Sequence, residues 1–482
     1  MFAGGIVDRG LRWLLKWGLS FALGPAGLGL FELAQKIGST VTSFSPLGLD
    51  TGVIYFAARQ RKGGERAALK GTLLAGGGLS LGVGLAAGVL MFLLAPRWVD
   101  DPEAVLALRW MAPVVVVWTP LLFAVGALRA MKDMRRSVLA FQVVLPVVLI
   151  AATAIAVGPA AAGVPGAIAA MGAATLVALV LAAAFAWRHY ADVLGDRSLR
   201  PRFEVGALLR FSIPQSLTAA AFRLNLYMDV LMLGLLASRE DVGIYAIAAS
   251  LASFGSVPAN AVVSIFNPFI AELVYSGERA RLDRLLKTVT RWLIVVAVPV
   301  YVVLLLLPDL VLSVYADAFA AAAVPLVVLT VGQAINTACA PTMRLIPMSG
   351  HAMLNLINGV VALGLNVALN WWLIPAHGAL GAALATGITL ASWSLWRVVE
   401  VWFLLRCFPF GWRALVLMLV SALGGGGLLV AGGSWSLGGR IGAAAGLASC
   451  FLAVSLLVGR TPEDRAVLGR VTGRVRRLLG RR

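Results

Sequence analysis

Charged side chains occur at helical spacing inside long apolar runs of this chain. Arg12 and Lys16 are four residues apart, as are Glu32 and Lys36, so each pair shares one face of a helix. A charge within a membrane span is costly and usually faces a cavity or a partner. Arg12, Lys16 and Lys36 are therefore candidates for binding an anionic group, and Glu32 is a candidate proton or sodium site.

Later apolar runs carry a second set of polar residues. Arg223, Asn225 and Asp229 occur in "FRLNLYMDVLM", and six residues separate Arg223 from Asp229, which places them on different helix faces. Asn336 and Arg344 lie near the end of another run. Arg223 and Arg344 extend the set of cations, Asn225 and Asn336 add hydrogen-bonding amides, and Asp229 adds an acid.

Each of these patterns also has a purely structural interpretation. Arg12 can extend to the membrane surface, and Glu32 with Lys36 can form an intrahelical pair that binds no ligand. Asn366 and Asn370 are expected to form hydrogen bonds between helices. The functional and structural interpretations are both retained at this point.

The composition identifies the elements that must position these residues. The chain has 482 residues, of which 60% are hydrophobic and 13% charged, and its mean hydropathy is +0.91. Apolar runs of about 20 residues without strand-like alternation predict an all-α polytopic membrane protein with about fourteen transmembrane helices. The predicted spans are about 4–23, 27–49, 71–95, 105–128, 138–158, 164–187, 207–236, 243–270, 292–314, 320–343, 352–374, 379–402, 413–432 and 437–459.

The charge pattern predicts an orientation. The net charge is +18, and net-positive loops alternate along the chain with net-negative ones, as the positive-inside rule requires. The tail from Arg460 holds many arginines. Both termini are therefore expected in the cytoplasm, and the basic tail is attributed to solvent or lipid rather than to nucleic acid.

Two pairs of similar segments indicate an internal repeat. "GLFELAQKIGSTVTSF" begins at Gly29 and "GIYAIAASLASFGSVP" at Gly243, an offset of 214 residues. "GERAALKGTL" begins at Gly64 and "GERARLDRLLKTV" at Gly277, an offset of 213 residues. The sequence therefore predicts two parallel six-helix repeats, with the first, second, seventh and eighth spans facing each other. The expected domains are an N-lobe at 1–190, a C-lobe at 191–406, two extra spans at 407–459 and a basic tail at 460–482.

The segments "LGPAGLGLFELA", "LGLDTGVIYFAARQ", "DVGIYAIAASLASF", "NPFIAEL" and "LNVALNWWLIPAHGALGAALATGIT" resemble a known family. They are similar to the polysaccharide-transport flippases for O-antigen and exopolysaccharide, within the multidrug/oligosaccharidyl-lipid/polysaccharide (MOP, MATE-like) exporter superfamily. The resemblance implies two six-helix lobes around a cationic cavity, and usually two extra helices. It also implies movement of undecaprenyl-diphosphate-linked oligosaccharide across the bacterial cytoplasmic (inner) membrane for surface polysaccharide biosynthesis.

On this resemblance, the cations are the expected ligands of the diphosphate and the amides the expected contacts of the sugars. The diphosphate ligands would be Arg12, Lys16, Lys36, Arg223 and Arg344, and the sugar contacts Asn225 and Asn336. Ion coupling or gating is expected of Asp50, Asp229 and Glu32.

Three other functions stay open at this stage. One is an ion-coupled drug or cation antiporter of the same fold, and another, of a different class, is a membrane glycan polymerase or glycosyltransferase. The third is a scaffold subunit of a polysaccharide export complex. No phosphate-binding lysine loop or metal and redox motif is found in the sequence, so a transporter without a cofactor is expected rather than an enzyme. The expected partners are the lipid-linked oligosaccharide and the phospholipid bilayer. A polysaccharide polymerase and export proteins stay open as further partners, and no nucleic acid is expected.

Asp50 lies in the stretch "SPLGLDTGVIYFAARQRKG". It precedes Arg59 by nine residues, which places it within about three helical turns of the basic loop rather than at the membrane midplane. The sequence predicts that Asp50 acts at an inner gate by pairing with a base such as Arg129 or Arg344, or that it has a structural role in ending the helix.

Overall fold

Long helices make up most of the computed structural model, which describes residues 2–158, 161–431 and 435–458. The predicted basic tail at 460–482 lies outside this part of the chain. The α-helices in chain order are α1 (Phe2–Phe44), α2 (Leu49–Lys62), α3 (Arg66–Trp98), α4 (Pro102–Ala130), α5 (Met134–Val138), α6 (Leu145–Val157), α7 (Gly163–Leu194), α8 (Val205–Leu236), α9 (Arg239–Ser253), α10 (Ser256–Ser276), α11 (Arg279–Leu306), α12 (Pro308–Leu312), α13 (Ala323–Ala338), α14 (Thr342–Met348), α15 (Ala352–Leu405), α16 (Trp412–Ala431) and α17 (Leu437–Val458).

The predicted class, an all-α polytopic membrane protein, is confirmed. Among the described residues, nine helical segments are long and apolar enough to cross a membrane, and Trp412–Leu428 is a shorter apolar helix. Two of the nine, Val7–Lys62 with 56 residues and Met353–Leu405 with 53 residues, exceed twice the roughly 20 residues that one crossing requires. The count of fourteen spans stays a prediction.

Two glycines divide the longest helices where the sequence predicts separate spans. Gly24 interrupts α1 with φ 64° and is followed by Pro25, which removes a backbone donor. Gly378 interrupts α15 with φ 52°. Both glycines adopt left-handed backbone angles that a residue with a Cβ rarely adopts, so each marks a change of helix direction.

The end of the second predicted span is a turn rather than continuous helix. Helix α1 ends at Phe44, and α2 begins at Leu49 after Gly48, whose φ is 71°. Asp50 therefore lies in the first turn of α2, where a carboxylate is favoured by the positive end of the helix dipole. The predicted span 27–49 thus ends about five residues early, because Pro46 and Gly48 stop the helix.

The eighth predicted span is two helices. Residues 243–270 were expected to be continuous, but α9 and α10 are separated by a turn at Phe254 and Gly255. A Cβ at Gly255 would lie 2.7 Å from Cδ1 of Tyr301. The close approach of this aromatic ring leaves no room for a side chain at the turn.

The chain forms two compact units. Unit 1 contains residues 1–247, 315–319 and 370–382, and unit 2 contains residues 248–314, 320–369 and 383–482. In unit 1, α4 packs against α3 and α7, and α1 packs against α4 and α8. In unit 2, α11 packs against α10, α13 and α16. The predicted lobes, with their boundary near residue 190, stay a prediction.

The predicted repeat has matching turns. Gly64 has φ 72° and Gly277 has φ 71°, and each is followed by Glu-Arg at the start of a long helix. A third pair extends the repeat, since Gly163 has φ 55° and Gly378 has φ 52° at an offset of 215 residues. Equivalent glycines therefore form equivalent turns in the two halves of the sequence.

Candidate functional site

A buried carboxylate in α1 holds two lysines. Glu32 is 1% exposed, and its Oε1 lies 2.8 Å from Nζ of Lys16, while its Oε2 lies 3.9 Å from Nζ of Lys36. The two lysine side chains are 22% and 24% exposed. Because Lys16 precedes the Gly24 kink and Glu32 follows it, the bend in α1 brings the two charges together. The trio, named here the α1 cluster (Lys16, Glu32 and Lys36), carries two positive charges and one negative charge.

Helix α8 lies beside the α1 cluster. Nζ of Lys36 is 5.0 Å from the centroid of the Tyr227 ring, a cation–π contact. Arg223 precedes Tyr227 by four residues, so it lies on the same face of α8, and its side chain is partly buried. Asn225 is also partly buried. The predicted proximity of the second and seventh spans is thus observed inside unit 1.

Arg12 has a partner that the sequence interpretation did not consider. Its Nε donates to both carboxylate oxygens of Asp8 at 3.0 Å, one helical turn earlier. The Arg12 side chain is 39% exposed. The pair is neutral as it stands, so Arg12 would have to exchange Asp8 for a ligand in order to bind an anion.

Gly29 and Gly243, the first residues of the two similar segments, are in close backbone contact. A Cβ at Gly29 would lie 2.9 Å from the backbone nitrogen of Gly243, and a Cβ at Gly243 would lie 3.2 Å from the nitrogen of Gly29. Nearby, Nζ of Lys16 contacts the carbonyl oxygen of Ala246 at 3.5 Å. Small residues allow membrane helices to approach this closely, and the first turns of the equivalent segments therefore contact each other in unit 1.

Asp229 is buried among hydrogen-bond donors. Tyr245 donates its hydroxyl to Oδ2 of Asp229 at 3.0 Å, and Nδ2 of Asn370 donates to Oδ1 at 3.1 Å. The three residues come from α8, α9 and α15, all within the residues of unit 1. The expectation that Asn370 bonds between helices is confirmed, and its partner is an acid that the sequence also singled out.

The structure does not place the remaining predicted residues in the α1 cluster. Asp50 interacts electrostatically with Arg129, one of the two bases proposed as its partner. Asn336 belongs to unit 2, where its Oδ1 accepts from Nη2 of Arg397 at 3.2 Å and from Ser394 at 3.0 Å. The side chain of Arg344 lies outside the described part of the structure. All ten site assignments stay predictions.

Arg397 and Glu400 are intramembrane charges that the sequence interpretation missed. The Arg397 side chain is fully buried, and its guanidinium lies 4.7 Å from the Trp393 ring centroid. Glu400 accepts from Nε1 of Trp396 at 2.8 Å and from Nδ2 of Asn358 at 2.5 Å. Both charges lie within the predicted span 379–402, so a search of every span for charges could have found them.

Ion pairs join the end of α2 and the start of α3 to the end of α7 and the residues that follow it. Arg61 lies 3.6 Å from the carboxylate of Asp192, and Arg66 lies 3.7 Å from that of Asp196. Ser198 donates to Asp196 at 2.6 Å, and this hydrogen bond, with the charge of Arg66 nearby, lowers the pKa of the Asp196 carboxyl. Asp196 therefore stays ionised at neutral pH and keeps its attraction for the loop.

Unit 2 contains an apolar cavity of about 320 Å³ between α11, α13 and α16. Its lining includes Tyr301, whose hydroxyl bonds with that of Thr337 at 2.6 Å. No predicted site residue is among its lining residues. The cavity therefore belongs to a different part of the molecule from the α1 cluster.

The fold and the buried charges define a multi-pass helical membrane protein. Residues 2–274, more than half of the chain, match the family model described as "Polysaccharide biosynthesis protein". The chain belongs to that family, and the resemblance noted in the sequence is confirmed. A comparison with curated proteins finds no match.

Solved structures with the same fold are transporters. An inward-facing MATE-family multidrug resistance transporter of the MOP superfamily is 16% identical, with a TM-score of 0.71, over 83% of this chain and 95% of its own. Lipid II flippase MurJ in an inward closed conformation is 12% identical, with a TM-score of 0.68, over 94% of this chain and 98% of its own. A MOP transporter from Pyrococcus furiosus, whose binding pocket is described as reversed in polarity, is 16% identical, with a TM-score of 0.58, over 84% of this chain and 94% of its own. At these identities the likeness establishes the fold alone.

Proposed function

We propose that this protein is a flippase for undecaprenyl-diphosphate-linked oligosaccharide in surface polysaccharide biosynthesis. It would work in the bacterial inner membrane by alternating access between an N-lobe at 1–190 and a C-lobe at 191–406, with both termini in the cytoplasm. Family membership supports a role in polysaccharide biosynthesis. The fold shared with a lipid II flippase supports a lipid-linked substrate.

The α1 cluster is the observation that carries the proposal. Two lysines are held within a membrane-spanning helix around one carboxylate, so the cluster retains a positive charge. Burying an excess cation is unfavourable unless a compensating anion arrives. A diphosphate supplies that anion, and Lys36 is 24% exposed, which leaves it accessible to a ligand. Arg223, one turn from the tyrosine that Lys36 contacts, would extend the site along α8.

Translocation in this proposal involves no covalent chemistry. Its free energy would come from an ion gradient or from removal of the product. Asp229 is the strongest candidate for ion coupling, because its carboxylate is buried and hydrogen-bonded by residues of two other helices. Protonation or cation binding at Asp229 would change those contacts, which link α8 to α9 and α15.

The test is a strain lacking the protein, complemented with variants and assayed for lipid-linked glycan in the cytoplasmic leaflet. We expect Lys36→Ala, Arg12→Ala and Arg223→Ala each to cause accumulation in that leaflet and loss of surface glycan, at normal membrane abundance. Arg197→Ala, in the exposed loop after α7, is the matched control and should export normally. Normal export by all three variants would overturn the cationic-site proposal.

A MATE-type ion-coupled drug or cation antiporter is the second candidate. The observation that favours it is Asp229, since a buried acid can exchange a proton for a cationic substrate. Proteoliposomes that contain the full chain distinguish the two functions. A flippase moves a lipid-linked sugar and leaves ethidium outside, whereas an antiporter moves ethidium against a pH gradient and loses that activity in Asp229→Asn.

A further inference from the structure

Helix α2 carries an exposed polar face that the α1 cluster does not explain. Thr51, Tyr55, Arg59 and Lys62 are exposed and follow one another at intervals of four, four and three residues, so they share one side of the helix. The opposite side is buried against neighbouring helices. Its buried residues are Leu49, Gly52, Val53, Phe56, Ala57 and Gln60.

The helix is held closely against α8. A Cβ at Gly48 would lie 2.8 Å from the carbonyl carbon of Ser212, and a Cβ at Gly52 would lie 3.0 Å from Cδ1 of Leu208. The contact at Gly48 is with the α8 backbone, so a side chain there would require α8 to move, whereas the contacts at Gly52 are with side chains of α8. Close packing against α8 therefore fixes the position of α2 and of its exposed face.

The Tyr55 ring is oriented by two other aromatic residues. It stacks on Phe211 of α8 with ring centroids 4.7 Å apart and an angle of 16°, and Phe56 meets both rings edge-on. Stacking covers one face of the Tyr55 ring, yet the residue is 48% exposed. The other face is thus available as a flat apolar platform with a hydroxyl at its edge.

The basic residues of this segment divide into two sets. Arg61 and Arg66 pair with the carboxylates of Asp192 and Asp196. Arg59 and Lys62 form no ion pair with any residue that the structure describes. Two cations on the exposed face of α2 are therefore free to bind an anion, while their neighbours secure the loop.

We propose that this face of α2 is a first docking site for the headgroup of the lipid-linked substrate, separate from the α1 cluster, with Tyr55 stacking on the sugar and Arg59 and Lys62 binding the diphosphate. The inference rests on the proposed function and adds the recognition of the first sugar. That sugar is bonded through oxygen to the distal phosphate, so a stacked ring and a bound phosphate must lie close together. Tyr55 and Arg59 are one helical turn apart, about 6 Å along the axis, which fits this arrangement.

The combination favours a glycan-bearing carrier over an ordinary anionic phospholipid. A phospholipid headgroup offers phosphate to Arg59 and Lys62, but it has no pyranose ring whose C–H face can pack on Tyr55. Charge alone attracts both lipids. The aromatic platform would therefore provide selectivity, and the basic pair would provide affinity.

Binding to the purified full chain in nanodiscs of zwitterionic lipid tests the proposal. The probes are undecaprenyl diphosphate carrying N-acetylglucosamine, the same lipid without sugar, and phosphatidylglycerol as the competing phospholipid. Tyr55→Ala should weaken binding of the sugar-bearing lipid by about 2- to 10-fold, the range of an aromatic contact, and should leave the sugar-free lipid unchanged. Tyr55→Phe should bind as the wild type does. Arg59→Gln with Lys62→Gln should weaken binding of both diphosphates by about 10-fold or more.

The control is Tyr275→Ala, which removes a tyrosine that is 96% exposed on α10 and should change none of the affinities. Thermal unfolding of each variant shows whether it folds as stably as the wild type. Equal affinities of wild type and folded Tyr55→Ala for the sugar-bearing lipid would overturn this inference and leave the flippase proposal standing. The inference would also be overturned if Tyr55→Ala lost the same affinity for the sugar-bearing and the sugar-free lipid. Displacement of the sugar-bearing lipid from the wild type by an equal concentration of phosphatidylglycerol would overturn it as well. Failure of the wild type to bind either diphosphate would overturn both proposals.

Discussion

The contact between Gly29 and Gly243 should not tolerate even one added methyl group. A Cβ at Gly29 would lie 2.9 Å from the backbone nitrogen of Gly243 and closer still to the carbonyl oxygen of Arg239. Carbon in ordinary contact lies about 3.5 Å or more from its neighbours. Gly29→Ala therefore requires the two backbones to separate by at least about 0.6 Å. Neither atom can rotate away, because both belong to the main chain.

The size of the effect follows from two opposing contributions. Overpacking of a close contact costs about 1–3 kcal/mol, while replacing a helical glycine by alanine returns about 0.5–1 kcal/mol. Gly18→Ala in the same helix is the matched control, since a Cβ there would meet no atom within 4 Å. We expect Gly18→Ala to be neutral or stabilising, and Gly29→Ala to be less stable than Gly18→Ala by about 1–3 kcal/mol.

Thermal unfolding of the purified protein in detergent, followed by intrinsic fluorescence, measures the difference. Gly243→Ala should resemble Gly29→Ala, because its Cβ would lie 2.9 Å from the carbonyl carbon of Pro25. Once one methyl group has separated the helices, a second should cost less, so the double variant should be less destabilised than the sum of the single variants. Equal melting temperatures for Gly29→Ala and Gly18→Ala would refute the contact between the repeats.

Two further substitutions test the buried acids. Glu32→Gln leaves Lys16 and Lys36 without their shared anion and should lower the free energy of unfolding by about 3–5 kcal/mol. Thermal unfolding measures the loss, with the conservative variant Lys16→Arg as the comparison. An unchanged melting temperature for Glu32→Gln would contradict the α1 cluster. Asp229→Asn places an amide donor against one of two existing donors and should cost about 1–3 kcal/mol. The same variant should lose any dependence of transport on the ion gradient, and unaltered ion dependence in proteoliposomes would exclude Asp229 as the coupling site.

The sequence predicts the helices well because the membrane imposes a simple rule. A spanning segment must satisfy its backbone internally and be apolar over about 20 residues, and both properties are visible in the composition. The kinks at Gly24 and Gly378 were also predictable, since each lies between two apolar runs. The break between α9 and α10 was not predicted, although "LASFGSVP" contains a glycine and a proline, which commonly mark a turn.

The candidate site was predictable in its residues but not in its pairings. Charges inside apolar runs identified Lys16, Glu32 and Asp229. That Lys16 and Glu32 form the 2.8 Å pair depends on the direction of the α1 kink, which spacing along one helix cannot supply. The bond from Asn370 to Asp229 joins residues 141 positions apart, so only the tertiary fold reveals it.

The two copies of the repeat share backbone turns but differ in their charged residues. With Gly29 aligned to Gly243, Glu32 aligns with Ala246, and Nζ of Lys16 contacts both the carboxylate of the former and the carbonyl oxygen of the latter. The first copy thus supplies a buried acid with two cations where the second supplies only backbone. The second copy instead carries Asp229, bonded to Tyr245 and Asn370. Two symmetric halves with the same charges would repel the same ligands equally, whereas this division separates a cationic site from an acidic one. Under the proposed function, the cationic site would bind the diphosphate while the acidic site bound the coupling ion, so the two ligands would not compete for the same groups.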